Sequence, residues 1–418
     1  MTTNTARGSH SDVLAYIRAN WDRSVQHDHD GSGFDGIDLP YPYTTPCVKG
    51  DGRFSFFFYW DTYFTNLGLL RQERYDLAES NIRNMMWLIE RDGFMPNHVG
   101  LDNRSQVPYF GLMAADYVDA TGDENLLEAV CDYVRQEYFF WFHARATTTG
   151  LTRCGQRAPS EDLAHFYDTT IVRRLGLSES VPIAEKVRIA AHRLAECETG
   201  WDFTERFDAR ALEFAAVEMN ANLYRYECFL SEASEKLGTG DPGLWRQRAD
   251  DRHARIDRYL WNNDRGLYLD YDCAKERSSD VAALVTFQPL YTGLASADQA
   301  AAVARSLPLF EREFGIAVTE QTPNCRSYQW GYPNMWPPMV WIAAAGLMRY
   351  GFIDDALRIA RIYVDVCDRL FDRTGQLWEK IDVETGEIAG GEYEAQPMLG
   401  WSAGVYVALR AILDERDA

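Results

Sequence analysis

Stretch after stretch of this chain carries apolar residues at alternating three- and four-residue steps, and a sequence so patterned is committed to packing helices against one another. Over 76–91 the stripe is Ala78, Ile82, Met85, Met86 and Ile89. Comparable stripes cover 126–142, 184–195, 211–236, 244–260, 298–306, 339–350, 353–370 and 403–413. Period-two alternation is sparse, no proline-rich linker divides the helices, and no strict repeat sets a solenoid period. The expected fold is therefore all-α and closed, a toroid of helical hairpins whose alternate connections meet at one mouth. Residues 1–45 are expected to form a tail with a short helix over 13–21 and an irregular Gly, Asp and Pro stretch, leaving 46–418 as a single domain.

Of the 418 residues, 46% are apolar and 13% aromatic, enough for a large core with rings to spare for a cleft. A formal net charge of −21 repels phosphate backbones and anionic membrane surfaces, which sets nucleic acid and membranes aside as partners. Residues 1–30 are polar, hold three of the eight His and lack an apolar leader core, and no apolar run reaches membrane-spanning length. A cytoplasmic protein is expected. The eight Cys form no C-x-x-C pair and have no His at ligand spacing, so buried thiols are expected rather than a structural zinc.

Chemistry concentrates between the helices. Glu198-Thr199-Gly200-Trp201-Asp202-Phe203 sets a carboxylate between two rings, directly after a residue with no side chain to crowd a ligand. Desolvation by Trp201 and Phe203 would keep Asp202 protonated and fit it to serve as a general acid, although an Asp after Trp also suits a helix cap or an ion pair. Cleavage of a glycoside by two carboxylates needs a partner on the opposite face of the sugar. Glu379, after Trp378, and Glu392, after Gly390-Gly391, both qualify. Arg53 to Asp61 joins a cation, a ring wall and an acid; Phe56 to Phe58 read as core, and Trp60 and Asp61 as site. Asn97 and the run Asn103-Arg104-Ser105-Gln106 offer amides, a guanidinium and a hydroxyl suited to fixed recognition of sugar hydroxyls, or to a capped turn. Gln329, Trp330 and Trp336, stiffened by Pro333, Pro337 and Pro338, read as a sugar-stacking wall or as packing at a helix start.

Together these stretches resemble the trehalase family of glycoside hydrolases. Gly52-Arg53-Phe54 with Tyr59 to Tyr63 is similar to GGRF and YYWDSY, and Gln329 to Pro338 to QWDYPNGWPP. Asn103 to Gln106 matches NRSQ, Glu198 to Phe203 resembles ESGWDF, Val217 to Asn220 VDLN, and Glu379 to Asp382 EKYD. Glu392-Tyr393 and Gly400-Trp401 fit the GEY and GW of the terminal lid. The resemblance implies an (α/α)6 barrel and inverting chemistry, with Asp202 as acid and Glu379 as base. It also implies sugar contacts from Arg53, Trp60, Asp61, Asn97, Arg104, Ser105, Gln106, Gly200 and Glu392, with Asp61 and Glu392 as candidates for positioning water. The chain departs from the pattern at Gly331 and Met335, in a short lid, and in an arginine motif that survives only loosely as Arg157-Ala158-Pro159-Ser160-Glu161-Asp162. Those departures fall where a second sugar is expected to lie, and in length the chain is nearer to compact relatives that cleave glucosylglycerate or mannosylglycerate.

The expected activity is inverting hydrolysis of a small, neutral α-glucoside, a trehalose-like disaccharide first and a glucosylglycerate or mannosylglycerate type second. Trp201 and Trp401 complete the expected sugar contacts. Carboxylates supply both proton transfers and no glycine-rich phosphate motif follows a strand, so no metal or organic cofactor is required. Two rivals remain at this point, a sugar epimerase working through histidine, for which His98 alone lies near a motif, and a helical scaffold without catalysis.

Overall fold

The computed structural model describes residues 6–48 and 53–417. Its helices, in chain order, are α1 (Ala6–Asn20), α2 (Tyr59–Arg71), α3 (Tyr75–Asp92), α4 (Phe110–Thr121), α5 (Glu124–Ala144), α6 (Ser160–Phe166), α7 (Val172–Leu175), α8 (Ile183–Cys197), α9 (Val217–Leu237), α10 (Pro242–Tyr259), α11 (Gln288–Tyr291), α12 (Ala297–Arg305), α13 (Pro337–Arg349), α14 (Ile353–Thr374) and α15 (Gly400–Asp417). Six of them close a ring: α2 touches α4, α4 touches α9, and contact passes through α11, α13 and α15 back to α2. The helices α3, α5, α10 and α14 pack outside, each against inner neighbours. This is the (α/α)6 barrel.

The two rings follow from burial. In α2 every residue from Tyr59 to Leu69 is buried, and α4 is buried along most of its length, so neither helix has a polar face. The outer helix α14 instead shows an apolar stripe that includes Ile359, Tyr363, Val366 and Leu370. Where α2 crosses α15, Gly68 faces Gly404, and a Cβ on Gly68 would come within 2.7 Å of the Gly404 Cα. Tight turns join inner to outer helices: Gly122 ends α4 in the left-handed region, and the Asp123 side chain then accepts the Leu126 N–H to cap α5. Helix α1 lies against α14, and its Val13 and Ile17, with the following Trp21, belong to the same core as the barrel helices.

Helices α6 to α8 form an excursion with its own small core of Leu163, Tyr167, Ile171, Leu194 and Phe203. Short pairings then draw the loops before the inner helices into one mouth. Asn334–Met335 runs antiparallel to Ile381–Asp382, bringing the Trp330 and Trp336 segment beside Glu379. A bridge between Phe58 and His98 sets the start of α2 against the loop that holds Asn97 and Arg104.

Candidate active site

A cleft of about 340 Å³ opens at this mouth, lined by Arg53, Trp60, Asp61, Asn97, Arg104, Gln106, Gly200, Asp202, Trp330, Trp336, Glu379 and Trp401 among the residues expected from sequence. Asp202 and Glu379 therefore face one cavity. Gly200 has φ +79°, and a Cβ there would meet the Trp60 ring at 2.7 Å, so the turn before Asp202 requires glycine.

Glu379 is 1% exposed, and its oxygens accept the Tyr393 hydroxyl at 2.8 Å and the Gln396 N–H at 3.2 Å. Burial, helped by the negative charge of Asp202, pushes its carboxyl up to about 7 against the pull of Lys380 and those two donors. Lys380, itself pushed down to about 8 by burial, donates to the Gly390 and Tyr393 carbonyls at 3.0 and 3.1 Å and so anchors the lid. Asp61, in the first turn of α2 rather than on a connecting loop, is pushed up to about 8 by burial, with Glu379 and Asp202 adding to the rise.

Asp202 departs from expectation in its surroundings. Its side chain is 38% exposed, and Oδ2 accepts Arg174 Nη1 at 2.6 Å. The flanking rings do not enclose it: Trp201 turns under Trp330, and Phe203 packs into the core of the excursion. Arg174 Nε donates to Glu392 Oε2 at 2.5 Å, and its guanidinium lies 4.6 Å from the Phe203 ring centre. No motif named Arg174. The sequence-level stand-in, Arg157, lies over Phe94 at 4.3 Å and donates to the Asp102 carbonyl at 2.5 Å.

Five expected sugar contacts do not line the cleft, and the contacts they make support it instead. Ser105 is fully buried and donates to the Met95 carbonyl at 2.5 Å. The Asn103 side chain accepts from Arg104 at 3.0 Å. Glu392 and Gln329 hold each other reciprocally, the Gln329 N–H donating to Glu392 Oε1 at 2.8 Å and the Glu392 N–H to Gln329 Oε1 at 3.2 Å. Trp201 lies against Trp330 with ring centres 5.1 Å apart, and Trp336 covers Trp330 from 3.9 Å at an interplanar angle of 7°. Trp330 thus has its faces occupied, so the indoles make a rigid floor rather than the expected stacking wall. The ring wall comes instead from Phe54, Phe56 and Phe58, which line the cleft while Phe57 and Tyr59 point into the core. An extended segment sends alternate side chains to opposite faces, so the expectation that Phe56 to Phe58 are core holds only for Phe57.

Beneath the cleft, Glu198 acts as a hub. Its buried carboxylate accepts Arg145 Nε and Nη2 at 2.8 and 2.9 Å, the Ser105 N–H at 2.9 Å and the Gly155 N–H at 2.6 Å. Under Trp201, the fully buried Arg206 pairs with Glu218 at 2.7 Å and Asp270 at 2.9 Å. His98 lines the cleft, but burial pushes it down to about 4 and its Nδ1 lies 2.7 Å from the Val99 carbonyl.

A model of the family described as trehalase matches residues 10–413. The chain belongs to the trehalase family. Like the family's other members it is a glycoside hydrolase. A putative periplasmic trehalase from Salmonella typhi is 30% identical over 392 residues, covering 88% of this chain and 68% of that protein. Neutral trehalase from Saccharomyces cerevisiae superposes with a TM-score of 0.76 at 24% identity, over 96% of this chain and 80% of that one. A mannosylglycerate hydrolase from Thermus thermophilus, solved with Tris and D-glycerate, shares the fold at TM-score 0.66 and 17% identity, over 96% and 100% of the two chains. No helix among the described residues is long and apolar enough to cross a membrane. The Salmonella typhi trehalase-family relative is named periplasmic, which lends the expected cytoplasmic location no support.

Proposed function

We propose that this chain hydrolyses a small α-glucoside with inversion, Asp202 acting as general acid and Glu379 as general base. The observation that carries the reading is that the two carboxyl groups line the same indole-floored cleft. Asp202 gives its proton to the glycosidic oxygen as the bond from that oxygen to the anomeric carbon breaks. Water attacks the anomeric carbon from the other side and yields a proton to Glu379. Between the two candidate bases, Glu379 is favoured because it lines the cleft, whereas both oxygens of Glu392 are held by Arg174 and Gln329. Asp61, buried beside both reacting carboxyls and largely protonated at neutral pH, suits a donor to the sugar or to the attacking water.

Trehalose is the first substrate to test, since the family and two relatives carry its name. A glucoside of glycerate is the second, favoured by Arg174, a cation next to the acid. Eight cysteines, none in a disulfide, suit a reducing compartment and are the support for a cytoplasmic location. Proton NMR of the first sugar released is the test of mechanism: an inverted anomer is expected, and a retained one refutes the assignment of Glu379 as base.

A further inference from the structure

Arg174 reaches the cleft from α7, and its fork is fully engaged: Nε on Glu392, Nη1 on the Asp202 carboxylate and Nη2 on the Asp202 carbonyl. Its side chain is 13% exposed, and the Phe203 and Tyr393 rings, 4.6 and 5.7 Å away, fix its plane. The acid of a glycosidase stands beside the departing oxygen, so a guanidinium bonded to Asp202 stands on the leaving-group side. To act, Asp202 must carry a proton, and once protonated it no longer supplies the negative charge that Arg174 now faces. Glu392 is then the one anion left on that cation, and the Nη1 edge of the fork is open to an anionic group of the leaving group.

The rest of the cleft adds to the demand. Arg53 and Arg104 also line it, and neither forms an ion pair among the described residues; Arg104 Nε has no hydrogen-bond partner there. With Asp202 protonated and Asp61 held largely neutral by burial, Glu379 is the remaining carboxyl of the lining, and Glu392, outside it, holds only the Nε edge of Arg174, against three guanidinium groups. A neutral hydroxyl would satisfy only the hydrogen bonds of the Arg174 fork, whereas a carboxylate matches its geometry and its charge together.

We propose that Arg174 anchors the leaving group and selects an α-glucoside whose leaving group is a small hydroxy acid, its carboxylate taking over from Asp202 on the guanidinium. This rests on the glycosidase reading for turnover but not for binding, so the test has two arms. In the first, kcat/KM is compared for glucosylglycerate and glucosylglycerol, which differ in the leaving-group carboxylate, with wild type, R174K and R174M. Wild type is expected to favour glucosylglycerate by about tenfold or more, R174K to keep part of that preference, and R174M to bring the ratio near one. A wild-type ratio near or below one, or a ratio that R174M leaves unchanged, overturns the proposal. In the second arm D-glycerate and glycerol are titrated calorimetrically into the same three proteins. Saturable binding of D-glycerate that R174M abolishes, in a protein that cleaves no α-glucoside, upholds the anchor and removes the glycosidase reading. Absence of D-glycerate binding together with absence of cleavage removes both.

Discussion

Replacing Tyr393 by Phe should move the acid side of the pH profile upward, because the hydroxyl that is lost stabilises the ionised form of Glu379. The ring itself stays, with its packing against Lys380 at 4.4 Å and Arg174 at 5.7 Å. Glu379 stands at about 7, the net of burial that raises it and of Lys380, the Tyr393 hydroxyl and the Gln396 N–H that lower it. A base must be deprotonated to work, so kcat/KM of the wild type is expected to fall as pH drops below about 7. A hydrogen bond to a charged group contributes about 1.5–3 kcal/mol, and about 1.4 kcal/mol corresponds to one pH unit, so deleting the 2.8 Å bond raises the midpoint by roughly one to two units. At pH 7 the ionised share then drops from about half to between about one tenth and one hundredth, and kcat/KM falls roughly five- to fiftyfold. Much of the loss should be recovered under more alkaline conditions. The assay is kcat/KM across the pH range for both proteins in one mixed buffer of constant ionic strength. A midpoint that does not move, with kcat/KM reduced equally at every pH, shows that Tyr393 acts by shaping the lid. A midpoint that moves down refutes the assignment of Glu379 as the base.

Three further outcomes follow from the same contacts. Asp202→Asn should lower kcat by about 10²- to 10⁴-fold with an unaltered circular dichroism spectrum, and full activity would return weight to a mechanism without this acid. Glu198→Ala strands the buried Arg145 at a cost of about 3–5 kcal/mol. Since unfolding entropy scales at about 2.1 cal/mol/K per residue, that cost lowers the melting midpoint of a 418-residue chain by only about 3–6 °C, and a calorimetric midpoint within a degree of wild type contradicts the hub. Arg206→Lys replaces a fork shared between Glu218 and Asp270 by a point charge and should cost about 1–3 kcal/mol in urea unfolding, with a raised KM because Trp201 loses support from below.

The outer helices are legible in the sequence because each has water on one side. The stripe over 353–370 corresponds to α14 and that over 76–91 to α3, with boundaries that differ by only a few residues. Helices α2 and α4 give no stripe for the opposite reason: buried nearly all round, they show no contrast between faces, so the sequence presents Trp60 and Asp61 as loop residues although they form the first turn of α2. Within the site, residues that line the cleft stand out where an acid or amide adjoins an indole or glycine. Support cannot be told from contact in this way, since Ser105 and Arg104 are neighbours in sequence and only the fold turns one toward Met95 and the other into the cleft. Arg174 is invisible for a third reason. It reaches Asp202 and Glu392 from a segment with neither periodicity nor motif, and its importance lies in partners 28 and 218 residues away.

That guanidinium arrives on the excursion α6 to α8, whose seven-residue core is separate from that of the barrel. None of its seven members comes from the six inner helices. If Arg174 chooses the molecule that departs, that choice and the grip on Asp202 sit on one appendage, so a change of preference there also retunes the acid.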